Sequence, residues 1–307
     1  MNRLWTTVAI IFMMLVFIGY MVFDLVFRKD NVPETNYEKV DSMLKDQWLV
    51  NNIIESGKEK LKAVAVSENG NILLAGDSYI DCYDSDLKIL WQKATDGEVT
   101  ALAVSKTKIF AAIGNYILVL GHAGENNAEW GPWDEKAFIT SIAVNDNYVA
   151  FADAAGKSIF ILDTDGNLKQ LIGKGDEQFI VPSPYFDIAF GKNDTLYVAN
   201  TGKLRVERRK TDGTLIDYFG EPGLAPDSFC GCCNPAHFAM LDNGLVTAEK
   251  GVNRIKILDG KGRFIEYVSS VNKFLPPVPL DIAVSPDGNL IYAANPADSK
   301  LYVFKRK

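Results

Sequence analysis

At 307 residues the chain has room for one large all-β domain or two ordinary ones. A formal net charge of −7, with no basic domain to accompany it, argues against nucleic acid as a partner. Two histidines and four cysteines restrict any metal chemistry to a small donor set.

Leu4–Phe23 is twenty residues without a charge, the length a helix needs to cross the hydrocarbon core of a bilayer. Asp24 and then Arg28-Lys29-Asp30 close it. Gly19 alone does not make the small-x-small site of a cleavable signal peptide, and no cysteine is present for lipidation, so residues 1–30 are expected to form an uncleaved signal anchor with a single transmembrane helix. Arg3 lies before the run, and Arg28, Lys29, Lys39 and Lys45 after it; counted literally this favours a cytoplasmic domain. Large domains translocate with little regard for such charges, and bitopic propellers with short N-terminal tails usually face outwards. The expectation is a single-pass membrane protein with its main domain extracytoplasmic. Residues 31–47 are polar, contain Pro33, lack periodicity and read as a tether.

From residue 48 onwards the chain repeats. Val64-Ala65-Val66, Leu102-Ala103-Val104, Ile142-Ala143-Val144, Ile188-Ala189-Phe190, Phe238-Ala239-Met240 and Ile282-Ala283-Val284 align on their alanines at intervals of about 38 to 50 residues. The fourth unit shows what each contains: Phe186–Phe190, Leu196–Ala199, Leu204–Val206 and Leu215–Phe219 are short strand-like runs separated by Asn, Asp and Gly turns. Asp212-Gly213 supplies the positive φ of a tight hairpin. A lone four-stranded sheet cannot bury both faces, so six such units predict an all-β fold, a six-bladed β-propeller over residues 48–307. The small alanine suits the innermost strand, where blades converge. The sixth unit ends at Phe304 with only three strands, and the apolar run from Trp48 to Val50 is expected to supply the fourth, closing the ring.

The fourth unit, with IAF, LYVANTG, LRV and TDGTLIDYFG, resembles the NHL-repeat consensus nearly throughout; the third and sixth resemble it more loosely. The first unit, around Asp84–Trp91, is closer to quinoprotein-type blades. The resemblance covers roughly residues 60–307 and implies the propeller fold; it specifies no activity.

Candidate chemistry gathers on the face where blades connect. Glu221–Ala236 reads EPGLAPDSFCGCCNPA and carries Cys230, Cys232 and Cys233, with His237 opening the next inner strand. These side chains allow a disulfide, either vicinal or from Cys230, a thiolate-bound metal, or buried free thiols. The spacing C-x-C-C-x₃-H matches no common zinc signature, and Asn234 excludes a haem-attachment motif. Asp153, Asn200, Glu249, Lys250, Asn253 and Asn295 follow second strands on the same face, where a polar residue often simply closes the turn. Glu249-Lys250 places charges where other units have Ala-Asp or Ala-Asn. Cys82 reads as strand core, His122 as surface, and Trp130 and Trp133 as plugs between blades or an aromatic platform. Arg205, Arg208, Arg209 and Lys210 read as a solvated blade face.

Two histidines do not suffice for a zinc site of the propeller-lyase kind. A lactonase-like calcium set has its residue types in Glu249, Asn200, Asn295 and Asp153, and a quinoprotein reading has the adjacent cysteines, but such enzymes are much larger. The leading expectation is a membrane-tethered binding or scaffold propeller whose cysteine-bearing face contacts a protein partner in a membrane redox or assembly complex. A metal-dependent enzyme or redox protein is the alternative.

Overall fold

The computed structural model describes residues 5, 10–20 and 45–307, apart from 59, 176–177, 232–233, 271–273 and 275–277. The chain divides into two compact units, Met1–Val40 and Asp41–Lys307. In the first, residues 5 and 10–20 are helical. The expected spanning helix over Leu4–Phe23 falls partly outside the described residues, and so does the tether up to residue 44; among the described residues no helix is long and apolar enough to cross a membrane.

The second unit is a six-bladed propeller. Strand β1 (Trp48–Glu55) comes first. Blade one then holds β2 (Ala63–Val66), β3 (Ile72–Gly76), β4 (Tyr79–Tyr83) and β5 (Ile89–Ala94). Blade two holds β6 (Val99–Val104), β7 (Ile109–Ile113), β8 (Tyr116–Leu120) and β9 (Asn126–Trp130). In blade three the strands are β10 (Ile139–Val144), β11 (Tyr148–Asp153), β12 (Ser158–Asp163) and β13 (Leu168–Ile172). Blade four has β14 (Ile188–Phe190), β15 (Leu196–Asn200), β16 (Arg205–Arg209) and β17 (Leu215–Phe219). Blade five has β18 (His237–Leu241), β19 (Gly244–Glu249), β20 (Arg254–Asp259) and β21 (Phe264–Ser269). Blade six is built from β22 (Asp281–Val284), β23 (Leu290–Asn295) and β24 (Lys300–Arg306), and its outer strand is β1.

Turn chemistry shapes each blade. In the third-to-fourth-strand turns of blades one, three and five, Asp84, Asp163 and Asp259 each accept two backbone N–H groups through Oδ1. Gly213 of blade four takes the left-handed φ of 93° that its Asp-Gly turn needs. Six apolar clusters fill the six gaps between neighbouring blades, so each sheet is covered on both faces. Trp130 and Trp133 belong to the gap between blades two and three; Trp133 lies 5.0 Å from Phe151, itself stacked on Phe160 at 4.6 Å. Cys82 is buried in the cluster between blades one and two. The repeating alanines sit on the inner strands, four of them buried, around a central channel of about 270 Å³ lined by all six inner strands.

Closure follows from β1 pairing antiparallel with β24, from Trp48 opposite Arg306 to Glu55 opposite Lys300, with a bulge between Val50 and Asn52. Trp48 is buried, and its indole Nε1 donates to Glu266 of β21 at 2.8 Å. A large aromatic fixed in this way anchors the ring's seam by packing and by a satisfied buried donor.

Candidate functional site

The residue two places before each repeating alanine sits where an inner strand opens at the connector face. Around the ring these are Ala63, Ala101, Ser141, Asp187, His237 and Asp281. One half of the ring is small and neutral; the other half is titratable. His237 Nδ1 lies 3.5 Å from Asp281 Oδ1 and 3.8 Å from Asp187 Oδ2, so one imidazole stands between carboxylates of two flanking blades.

Each aspartate also ties its own blade to the next. Asp187 Oδ2 accepts from Phe238 N at 2.7 Å, and its Oδ1 from the Ser141 hydroxyl at 2.5 Å and Ile188 N at 3.0 Å. Asp281 Oδ2 accepts from Val64 N of blade one at 2.8 Å. Burial pushes the Asp281 carboxyl up to about 6; His237 opposes the rise and Asp187 adds to it. Asp187 is likewise raised by burial, against the pull of His237, Ser141 and two backbone donors. On the rim, Tyr185 meets His237 edge-on at 6.2 Å, and Lys250 Nζ lies 4.8 Å over the Tyr185 ring and 3.4 Å from Ser183 Oγ. The cluster is suited to holding a cation, or to moving a proton among three groups.

The other expected site residues have different tasks. In blades three to five the last residue of the second strand clamps the incoming connector. Asp153 accepts from Phe138 N at 2.9 Å, Asn200 from Ile180 N at 3.1 Å and Glu249 from Cys230 N at 3.4 Å. Asn295 closes its own turn on Ala297 N. The four proposed calcium ligands are thus each committed to a local backbone group rather than to one another. Among the described residues no group of three or more His, Cys, Asp or Glu side chains is arranged to hold a metal ion. Asn253 is buried, and neither its Oδ1 nor its Nδ2 has a partner among the described residues.

Glu249 is a buried counter-ion. Arg254 Nε reaches its Oε1 at 2.8 Å and Lys256 Nζ at 3.0 Å. Both cations also donate to Ser228 O in the cysteine-bearing connector, at 3.1 and 2.6 Å. Burial pulls Lys256 down to about 8, with Glu249 opposing. The basic run in blade four is the expected solvated face only in part, at the exposed Lys210. Arg205 and Arg209 both grip the buried Glu207, Arg209 is itself buried, and Arg208 pairs with Asp217.

Cys230 carries a free, buried thiol, so of the alternatives open for the cluster a disulfide from Cys230 is not the one formed; Cys232 and Cys233 lie outside the described residues. Burial and then Glu249 raise the Cys230 thiol above its ordinary range, so this cysteine is a weak nucleophile. The connector is held near it by Asn234, whose amide donates to Cys230 O at 2.6 Å and Lys250 O at 3.1 Å and accepts from Lys250 N at 2.9 Å. The sequence reading missed Asp187 and Asp281. Their signal was the shared Asp-Ile-Ala triplet, in which only the alanine had been used.

Solved structures place the fold. A streptogramin B lyase is 14% identical, with 86% of this chain and 100% of that one covered at a TM-score of 0.60. A chain of the mitotic checkpoint complex is 11% identical, with 83% and 91% covered at 0.61. The WD40 domain of Neurospora crassa Pan2 is 10% identical, with 86% and 97% covered at 0.59. At such identities the likeness shows the fold alone. No protein-family model matches the chain, and no curated protein does, so the NHL resemblance stands at the level of the six-bladed propeller.

Proposed function

We propose that this chain is a membrane-tethered, NHL-like binding propeller whose connector-side channel mouth receives a basic group of a protein partner. The observation that carries this is the imidazole of His237 set between the desolvated carboxylates of Asp187 and Asp281 at an open channel mouth. The two desolvated carboxylates repel each other, Asp187 adding to the rise at Asp281, and a lysine or arginine side chain entering there relieves the repulsion. Lys250 on the outer rim adds a donor for an acceptor group next to that basic residue. Placement in assemblies is common among propellers, as the checkpoint-complex chain illustrates for that protein.

Carbodiimide cross-linking in membranes of cells producing the chain tests this, because it joins a carboxylate to a lysine amine in contact with it. The expected product is a peptide linking Asp281 or Asp187 to a partner lysine, and Asp281→Asn with Asp187→Asn abolishes it. Adducts that persist in the double variant would refute the site. Tethering by Leu4–Phe23 is tested separately: the chain should stay with membranes after alkaline carbonate washing. Protease protection that ends when the outer envelope is opened would support an extracytoplasmic domain; protection that survives would reverse the orientation.

A further inference from the structure

The outer edge of blade six differs from the other blade rims in charge. Residues 45–55 and 300–307, which form this edge and its flanks, carry five basic and two acidic residues in a chain of net charge −7. Glu55 pairs with Lys300 at 3.0 Å, and Arg306 pairs with Glu266 at 2.8 Å. Among the described residues, Lys45, Lys305 and Lys307 have no carboxylate partner, and all three are exposed. They stand close together. Lys307 N donates to Gln47 O at 3.0 Å, its Nζ to Asp46 O at 2.7 Å, and Lys305 lies directly opposite Leu49 in the β1–β24 ladder.

Beside these cations β1 exposes Leu49, Val50 and Ile53 at 45%, 44% and 46%. Clustered apolar side chains flanked by lysines without a carboxylate partner among the described residues suit the boundary of a bilayer: the apolar groups enter the headgroup region and the ammonium groups meet lipid phosphates. Other outer strands expose apolar residues too, but beside charges that are already paired: Ile216 and Tyr218 flank Asp217, which binds Arg208, and Ile265 adjoins the buried Glu266, which binds Arg306. Three cations without a carboxylate partner among the described residues distinguish this edge.

We propose that the outer edge of blade six is a contact surface for an anionic lipid bilayer, made by Leu49, Val50 and Ile53 with Lys45, Lys305 and Lys307. The contact is on the rim of the propeller and does not depend on the channel mouth. Nor does it depend on whether Leu4–Phe23 spans the membrane.

The test uses the full chain with Ile53 replaced by a dansyl-bearing residue, combined with bilayers of phosphatidylcholine alone or mixed with phosphatidylglycerol. The expected result is a blue-shifted emission only with phosphatidylglycerol, lost at high salt and in the Lys305→Glu, Lys307→Glu variant. Each lysine should change the affinity roughly five-fold. The same probe at Ile216 should not respond. An unmoved probe at position 53, an equal shift on neutral bilayers, or a shift that survives charge reversal would overturn the proposal. So would a shift that needs no lipid and grows with protein concentration, which would mean that a second copy covers the edge. Carbonate-resistant membrane association is read in parallel and reports Leu4–Phe23 alone.

Discussion

Blades four and five solve one problem in two ways. Each sets one buried glutamate against two basic side chains, but from different strand positions. In blade four the acid is Glu207 in the third strand, gripped by Arg205 and Arg209 and by Asn200 Nδ2 at 2.8 Å, all of the same blade. In blade five the acid has moved to the end of the second strand as Glu249, in the place of Asn200. Lys256 stands where Glu207 does, and Arg254 where Arg205 does. The move frees both cations to reach Ser228 O, so blade five uses its buried charge to pin its incoming connector, whereas blade four holds its own, of similar length, through Asn200 and Ile180 N. A repeat can thus keep a buried charge balance while redirecting it to hold a connector. The second difference is chemical. Arginine stays charged at any ordinary pH, whereas Lys256 can lose its proton.

The comparison breaks most visibly if either acid is removed. Glu207→Ala leaves the buried Arg209 and the half-buried Arg205 without their counter-ion and should cost about 3–5 kcal/mol in urea unfolding. Glu249→Ala should cost less, and less still at pH 9 than at pH 6, because Lys256 can then go neutral. Equal losses at both pH values would show that Lys256 does not titrate.

A smaller effect sharpens the same contrast. Lys256 has a folded pKa of about 8, below its unfolded value of about 10.4. Between those values the unfolded chain binds more protons, so stability should rise with pH from about 8 to 10, by on the order of 2–3 kcal/mol. Lys256→Arg gives blade five the permanent charge of blade four and should abolish that rise. Thermal melts across this range read it directly.

Asp281 has the opposite sign. Its folded pKa of about 6 lies above the unfolded value of about 3.9, so the folded state holds the extra proton. Stability should fall as pH rises from about 4 to 6, by on the order of 2 kcal/mol, and Asp281→Asn should flatten that limb. Binding of a basic group at the channel mouth should run the other way and strengthen as pH rises through about 6.

Smallest is the loss of the connector's own fastening. Asn234→Ala removes three hydrogen bonds around Cys230 and Lys250 and should cost about 1–2 kcal/mol. Faster hydrogen exchange should be confined to residues 221–236 and leave the connector into blade four unchanged.

Much of the fold was legible in the chain itself. The alanine spacing gave the number of blades, because each inner strand meets the same crowding near the axis. The Trp48 run announced its role by lacking an inner-strand partner, and β1 fills that place. Strand ends were read within one to three residues: the run expected over Leu204–Val206 is β16, which leaves Leu204 just outside with a φ of 52° and continues to Arg209.

The site was less legible. Glu249 stood out as a charge in a position of small polar residues, but only packing shows that its partners are Arg254 and Lys256 and its purpose a connector. Cys230 looked like one third of a reactive cluster, yet burial beside a carboxylate holds its thiol protonated. Asp187, His237 and Asp281 are separated by about fifty residues each and meet only because the ring closes. Local periodicity determined the repeating unit, since turns and strands are set by neighbours in sequence. The channel mouth was decided by tertiary structure, since converging inner strands set three blades' first residues within ion-pair reach and burial then sets their charge.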